Sequence, residues 1–496
     1  MSVTAASAGA SPATAYETVI GIECHVELKT ETKMFCGCRN VFGAEPNTNV
    51  CPVCLGMPGA LPVPNRRAIE LLVKAGLAFG SEIPAHSKFD RKNYFYPDMP
   101  KDYQISQFDA PLTQGGTVDF VTADGERGSC RLTRIHLEED TGKSTHASRD
   151  GRIAGSTHSL VDFNRAGVPL MECVSEPDIR TAAQAVAFLE TLKRTFVALG
   201  VSDVKMEEGS LRCDVNLSLR PVGATEYGTK TEIKNMNSFR SVARAIESEV
   251  ARQTEILAGG GRVLQETRGW DESAGTTISM RSKELAHDYR YFTDPDLPPL
   301  AFSDADTARL RGELGTLPHA RLERYLAAGT SVVQAEQLLD GPGLAEYADA
   351  AIAASGKAQA TINFILGDLS RLANEDGTAV AASRMTPEAL AELVTLVEAG
   401  TINSKTAKDV LARVWAEGGS PRAIVERDGL GQIGDTGAID AIVAEVLAGN
   451  APTVADYRAG KTKVLGFLVG RVMKESRGKA NPQLAEERLR AALDAG

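Results

Sequence analysis

No apolar run in this 496-residue chain approaches the roughly 20 residues a helix needs to cross a bilayer, which argues against a membrane-spanning protein. Cysteine is scarce. Eight in so long a chain are too few for a disulfide scaffold, and four of them cluster, which suits a reducing cytoplasm and a metal. Positive charge is not in excess either: a net charge of −11 argues against whole-surface attraction to nucleic acid or anionic membrane, so RNA contact would need a local basic patch. The basic start and leucine-rich run of a secretory signal are missing from residues 1–15, MSVTAASAGASPATA, which read as a disordered tail. A phosphate loop is missing as well. Gly142-Lys-Ser has the right ending, but Leu137 stands where the motif needs its first glycine. The letters GLGQIG at 429–434 follow a helical segment instead of a strand and read as a helix-to-helix turn, so any nucleotide site is of an uncommon kind.

What is present begins with Val19–Leu28, VIGIECHVEL, which alternates cleanly. Ile20, Ile22, Cys24, Val26 and Leu28 share one parity and Glu23, His25 and Glu27 the other, as on a strand with one buried face. The polar groups then project the same way at roughly 7 Å intervals, able to converge on one ion or to form a solvated salt-bridging face. RLTRIHLEED, residues 131–140, alternates again and ends in Glu138, Glu139 and Asp140, three acids that are stable together only when solvated or neutralised by a cation. Glu172 stands alone among Leu170, Met171, Cys173 and Val174, where a carboxylate must be paired, protonated or metal-bound. SLRCDVNLSLR, residues 210–220, sets Arg212, Asp214 and Asn216 on one face. Together Glu23, His25, Glu138, Glu139, Glu172 and Asp214 form a candidate basin for Mg²⁺ or Mn²⁺, with Lys205, Arg212, Lys230, Lys234 and the run KNMNSFR (containing Asn235 and Ser238) to hold a nucleotide's phosphates.

Cys36-Gly-Cys38 and Cys51-Pro-Val-Cys54 offer two close thiolate pairs, the arrangement a closed structural Zn²⁺ site needs; the alternative is four reduced cysteines. The segment 89–107, FDRKNYFYPDMPKDYQISQ, mixes cations with aromatics and suits phosphate gripping and stacking on a base or sugar, or else it is an ordered loop with tyrosines packed on the core. From about Ala301 strands give way to helical spacing, as in Leu390, Leu393, Val394 and Val397 after the Thr386-Pro387 cap. The last segment is basic. If 463–475 is helical, Lys463 and Lys474 fall on one face; with Lys461, Arg471, Arg477 and Lys479 they make a candidate RNA-backbone contact or a solvated face.

The motifs GIECHVELKT, CPVCLGMPGALPVPN, HLEEDTGKSTH, VDFNRAGVPLMECVSEPD, VKMEEGSLRCDVNLSLR, TEIKNMNSFR and GFLVGRVMKESRGKANP together resemble the family of B subunits of the bacterial aspartyl/glutamyl-tRNA amidotransferase, from about Tyr16 to the end. The resemblance implies an α+β protein: a cradle around a mainly antiparallel sheet (16–305), an all-α domain (306–425) and a small YqeY-like tail that touches tRNA (426–496). It implies a cytoplasmic ligase that phosphorylates the side-chain carboxylate of Glu-tRNA(Gln) or Asp-tRNA(Asn) with ATP and amidates it with ammonia. A glutaminase partner of the amidase type would supply the ammonia, and a further small protein would complete the heterotrimer. Carried onto this chain, the Mg²⁺ ligands are His25, Glu138 and Glu172, with Glu23, Glu139 and Asp214 nearby for a second ion or ammonia passage, and the cysteines match the family's zinc version. An archaeal relative with an inserted synthetase-like domain is excluded by the direct step from Asp296-Leu-Pro-Pro into helices. The competing reading is a tRNA-docking scaffold whose acids are only a solvated rim.

Overall fold

The structure, a computed structural model, describes residues 15–147, 155–282, 289–432, 436–476 and 479–495. All but Ala15 of the expected disordered tail, and Arg477 of the basic segment, lie outside the described residues. The chain divides into two compact units, residues 1–321 and 322–496.

The first unit is built on a nine-stranded sheet. Across it run strands Thr276–Ser282, Glu266–Asp271, Thr231–Lys234, Leu211–Pro221, Tyr16–Glu27, Pro169–Ser175, Arg127–Glu139 and Thr113–Gln114, with Thr117–Val121 also on the Arg127–Glu139 strand. Every pairing is antiparallel except that of Thr231–Lys234 with Glu266–Asp271. Those two are joined by the helix Phe239–Ala258, the long crossover that a parallel pair requires.

The period-2 pattern of VIGIECHVEL decides the layering. Ile20, Ile22, Cys24 and Val26 are at most 1% exposed, and they meet Leu71 and Leu72 of helix Arg66–Ala78, Phe188 and Phe196 of helix Ala182–Ala198, and Val242 and Ile246 of helix Phe239–Ala258 in one core. Each such side chain contributes about 1.5–3 kcal/mol through burial, which fixes which way the strand faces. The helices begin where the sequence caps them: Asn65 accepts from the Arg67 and Ala68 amides, and Thr181 from that of Gln184. Helix Ala182–Ala198 is followed by Gly200 at φ +64°, a left-handed position at low cost only for glycine.

Register is what assembles the polar face. His25 lies opposite Glu172 on one side and Arg212 on the other, and Glu172 lies opposite His136, so four strands contribute one row, His136, Glu172, His25 and Arg212. Glu23 lies opposite Asp214 one pleat away.

Among the described residues no strand follows Ala301, as the composition shift indicates. In the second unit Thr386 caps the helix Pro387–Glu398, with Pro387 at its first position. The last helices close an apolar core of their own from Ile439, Val443, Val446, Leu465, Leu468, Val472 and Leu489. The helix expected over 463–475 starts at Leu465, with Lys463 in a preceding 3₁₀ turn, Thr462–Val464. No single helix is long and apolar enough to cross a membrane. The chain is thus an α+β protein.

Candidate functional site

His25, Glu138 and Glu172 stand at the centre of the polar face, each offering one ligand atom, and the three atoms lie within 4.8 Å of one another. His25 Nε2 is 3.7 Å from Glu138 Oε1 and 3.6 Å from Glu172 Oε2. An octahedral Mg²⁺ holds its ligands at about 2.1 Å, so adjacent ligands sit ~3 Å apart, and a small closure of this trio meets that requirement. The donor set, two carboxylates and an imidazole that leave further positions open, fits a divalent ion that keeps waters or phosphate oxygens.

The electrostatics follow from burial and pairing. Burial opposes the charged form of Glu172, but His136 Nε2, 3.3 Å from the same Oε2, and His25 together hold its carboxyl well below the usual range. Burial likewise opposes the charged form of His25, yet Glu172 and Glu138 carry the imidazole up to about 9. Glu23 is raised, first by burial and then by Glu172, while Asn216 donates to its Oε1 at 2.8 Å.

His25 and Glu138 of the trio open into a cavity of about 420 Å³ lined also by Lys92, Arg212, Asp214 and Lys234 among others. Arg212 donates to Asp140 Oδ2 at 2.6 Å, and its buried Nε finds no partner. Lys234 meets Asp214 at 2.5 Å and Glu232 at 3.3 Å, and Asn235 lines the same wall at φ +66°. A second cavity, about 450 Å³, continues along the same sheet face from Glu23 past Asn216 and Ser218 to Lys230.

Three sequence-predicted residues are placed elsewhere. Glu139 falls on the opposite face of its strand, where Lys101 pairs with its carboxylate and the Ile105 amide donates to it at 2.9 Å; alternation holds to the strand's end, so Glu139 points away from His25, Glu138 and Glu172. Lys205 reaches Glu208 at 2.7 Å and lies outside the residues lining the cavity. The Ser238 hydroxyl caps helix Phe239–Ala258 by accepting from the Ser241 amide, so it is committed to the fold. Sequence reasoning passed over His136 and Asp140 as site residues, whereas Lys92 belongs to the 89–107 segment read as suited to phosphate gripping, and it lines the cavity. His136 shares the parity of Glu138, two residues along one strand, and that signal was legible; the position of Lys92 depends on the pairing of the short strand Asp90–Asn93, whose run DRKN shows no apolar alternation.

The four cysteines do converge: Cys36, Cys38, Cys51 and Cys54 place their sulfurs within 4.8 Å of one another, all unbridged. The Cys51–Cys54 separation, 3.9 Å, is close to the ~3.8 Å of a tetrahedral site with 2.3 Å metal–sulfur bonds. The Cys51 amide donates to Cys54 Sγ at 3.1 Å, and the buried Lys33 ammonium lies 3.7 Å from it. The hydrogen bond from Cys36, together with Lys33, favours the Cys54 thiolate and pulls that thiol well below its ordinary value. The loop between the knuckles is tied to the sheet unit: Asn47 and Asn49 donate backbone amides to Asp162 at 2.9 Å and Asn164 at 2.8 Å.

In the second unit, Lys463, Lys474 and Lys479 are exposed, Lys461 is paired with Asp456 at 2.8 Å, and Arg471 is half-buried with its Nε buried and without a partner.

Residues 18–308 match the family described as the GatB/GatE catalytic domain, and residues 346–493 match the GatB domain. A curated protein of Moorella thermoacetica is 52% identical over 479 residues, covering 96% of this chain and all of its own length. One from Carboxydothermus hydrogenoformans is 49% identical over 479 residues (96% of this chain, 99% of its own), and one from an Anaeromyxobacter strain is 51% identical over 487 residues (97% and 99%). All three are named as the B subunit of aspartyl/glutamyl-tRNA(Asn/Gln) amidotransferase.

Proposed function

The chain belongs to the family of GatB-type B subunits of the tRNA-dependent amidotransferase, and from that premise we propose that its polar sheet face converts a carboxylate already esterified to tRNA into an amide at the expense of ATP. The reading is carried by one observation: three ligand atoms from residues 25, 138 and 172, far apart in the chain, meet within 4.8 Å.

A carboxylate carbonyl is too electron-rich to accept ammonia, so it must first take a phosphoryl group: a carboxylate oxygen bonds to the γ-phosphorus of ATP and ADP leaves. His25, Glu138 and Glu172 would hold Mg²⁺, which when bound draws the phosphate oxygens and the carboxylate together and spreads their charge. Arg212 and Lys234 line the cavity and supply the cations that hold the phosphates, the unpartnered Nε of Arg212 being a donor free to take one oxygen. Ammonia then bonds to the acyl carbon, the C–O bond to phosphate breaks, phosphate departs, and the nitrogen gives up a proton. Glu23 and Asp214 lie opposite each other on the way to the second cavity, and their carboxylates suit an ammonia route from a glutaminase partner. The amidase-type glutaminase, the small third member of the heterotrimer, the glutamine source, and a tail over 426–496 that grips tRNA through Lys461, Lys463, Lys474 and Lys479 are parts of the same proposal. So is a structural Zn²⁺ held by the four cysteines, and so is residence in the cytoplasm.

The test is ATP-dependent transamidation of Glu-tRNA(Gln) and Asp-tRNA(Asn) by the assembled complex. His25→Ala and Glu172→Gln are expected to lose at least roughly 100-fold in rate while glutamine hydrolysis by the partner remains measurable. Near wild-type transamidation by either variant would leave the acids as a rim and favour the scaffold role.

A further inference from the structure

The chain holds ten tyrosines, yet four of them, at 94, 96, 289 and 291, gather from two distant stretches at one flank of the ion-ligand cavity. The gathering is built by the backbone. Strand Phe292–Thr293 pairs with Asp90–Asn93, and Asn93 donates its amide to the Tyr289 carbonyl at 2.9 Å and its side-chain nitrogen to that of Arg290 at 2.7 Å. Arg290 takes a left-handed φ of +45°, a conformation that costs a non-glycine residue roughly 1 kcal/mol and is held here by those bonds. The rings then form a continuous wall: Phe108 stacks on Tyr291 at 4.4 Å, Tyr289 stands edge-on to Tyr291 and Tyr94 at 6.1 and 6.2 Å, and Tyr94 meets Tyr96 at 6.0 Å.

This wall is not core. Phe95, Tyr96 and Phe108 are 69%, 57% and 53% exposed, and exposed rings gathered in one place mark a contact site. It abuts the chemistry. Lys92 lines the cavity and carries its ammonium 5.1 Å from the Tyr289 ring centre, and the Tyr94 hydroxyl donates at 3.2 Å to Gln104, another cavity residue. In the sheet order the phosphate-suited cations Arg212 and Lys234 lie on one side of His25 and Glu138 on the other. The aromatic segment packs on the Glu138 side, where strand Tyr103–Ser106 lies over the strand that carries it.

We propose that this aromatic wall is a stacking site for the unpaired terminal nucleotide of the aminoacyl-tRNA, set beside the ion ligands that receive its amino acid. The inference rests on the amidation reading. A side-chain carboxylate at the ions is joined through its ester to the last ribose of the tRNA, so that ribose falls within roughly two residue lengths, ~7 Å, of the cluster. The unstacked base next to it exposes π faces that aromatic rings accept, and the Lys92 and Arg290 cations beside the rings suit its phosphodiester. The adenine of ATP does not require this flank, because its phosphates are drawn toward Arg212 and Lys234 on the other.

The experiment uses the complete complex with Tyr96→Ala, Phe108→Ala and the double variant, all at exposed rings. The KM for aminoacyl-tRNA is expected to rise about 10-fold per ring with the KM for ATP unchanged, and Tyr96→Trp is expected to restore it because a ring, not a hydroxyl, is needed. In a second arm without chemistry, a 3′-glutamylamino-adenosine competes with its abasic counterpart. Wild type is expected to prefer the adenine-bearing compound and the double variant to lose that preference. An unchanged KM for aminoacyl-tRNA, or a rise confined to ATP, overturns the proposal. A wild-type complex inert toward both mischarged tRNAs, but with the adenine preference intact, would instead sink the amidation reading and leave the stacking site standing.

Discussion

Oε2 of Glu172 is flanked by two imidazoles: His25 also reaches Glu138, whereas of these two carboxylates His136 meets Glu172, at 3.3 Å. Arg134 donates to its Nδ1 at 3.3 Å, which directs the Nε2 hydrogen toward the carboxylate. His136 is therefore a positioning residue. His136→Ala is expected to weaken Mn²⁺ binding about 10-fold in calorimetric titration of the purified complex while leaving the melting temperature within a few degrees. Glu139 makes the contrasting case. With Lys101 it forms a buried pair, so Lys101→Met is expected to cost about 3 kcal/mol of stability, measured by denaturant unfolding, by stranding a buried carboxylate. The sequence showed three adjacent acids and could rank none of them, because parity at a strand end is decided by whether pairing continues. Here it continues to Pro169 opposite Glu139, which sends Glu138 to the cavity and Glu139 behind it.

At the level of elements, strands and caps were the readable part. Period-2 patterns in VIGIECHVEL, RLTRIHLEED and SLRCDVNLSLR named the strands and their polar faces, since burial of one face is a local consequence of the pattern. Which strands adjoin is not local, and the row from His136 to Arg212 exists only once the register is known. The Ser238 hydroxyl shows the same limit: in sequence it is one more polar group in KNMNSFR, in space it is a cap. Ser238→Ala is expected to cost about 1 kcal/mol by thermal unfolding and to leave the KM for ATP unchanged.

The helix it caps is anchored by Glu249, fully buried, which accepts from Arg252 at 2.6 Å, Gln253 at 2.8 Å and Thr277 at 3.0 Å. Burial opposes that charge, but these donors win and hold the carboxyl below its ordinary 4.5. A depressed carboxyl contributes stability above its ordinary value and loses it as pH falls through the folded one. Glu249→Ala is accordingly expected to cost about 3 kcal/mol near neutral pH, with the gap to wild type shrinking below about pH 4 in melting curves.

For the molecule as a whole, the expected metal and the expected tRNA grip lie in different compact units, so they are separable. Removing metal with a chelator, or Cys36→Ser, is expected to lower the melting transition of residues 1–321 and to spare that of 322–496, with one zinc per chain released on thiol modification. Truncation near residue 425 removes the helices that close their own core around Ile439 and Leu468. It is expected to weaken tRNA binding in a filter assay while the partner still hydrolyses glutamine.

The shared strand Tyr16–Glu27 has one more consequence. A slip of a single residue against Pro169–Ser175 or Leu211–Pro221 would drive Glu23, His25 and Glu27 into the greasy layer and eject Ile22, Cys24 and Val26 into water. Misaligned chains thus forfeit their stability along with the meeting of His25, Glu138 and Glu172, and the hydrophobic effect proofreads the geometry of the polar face each time the polypeptide folds.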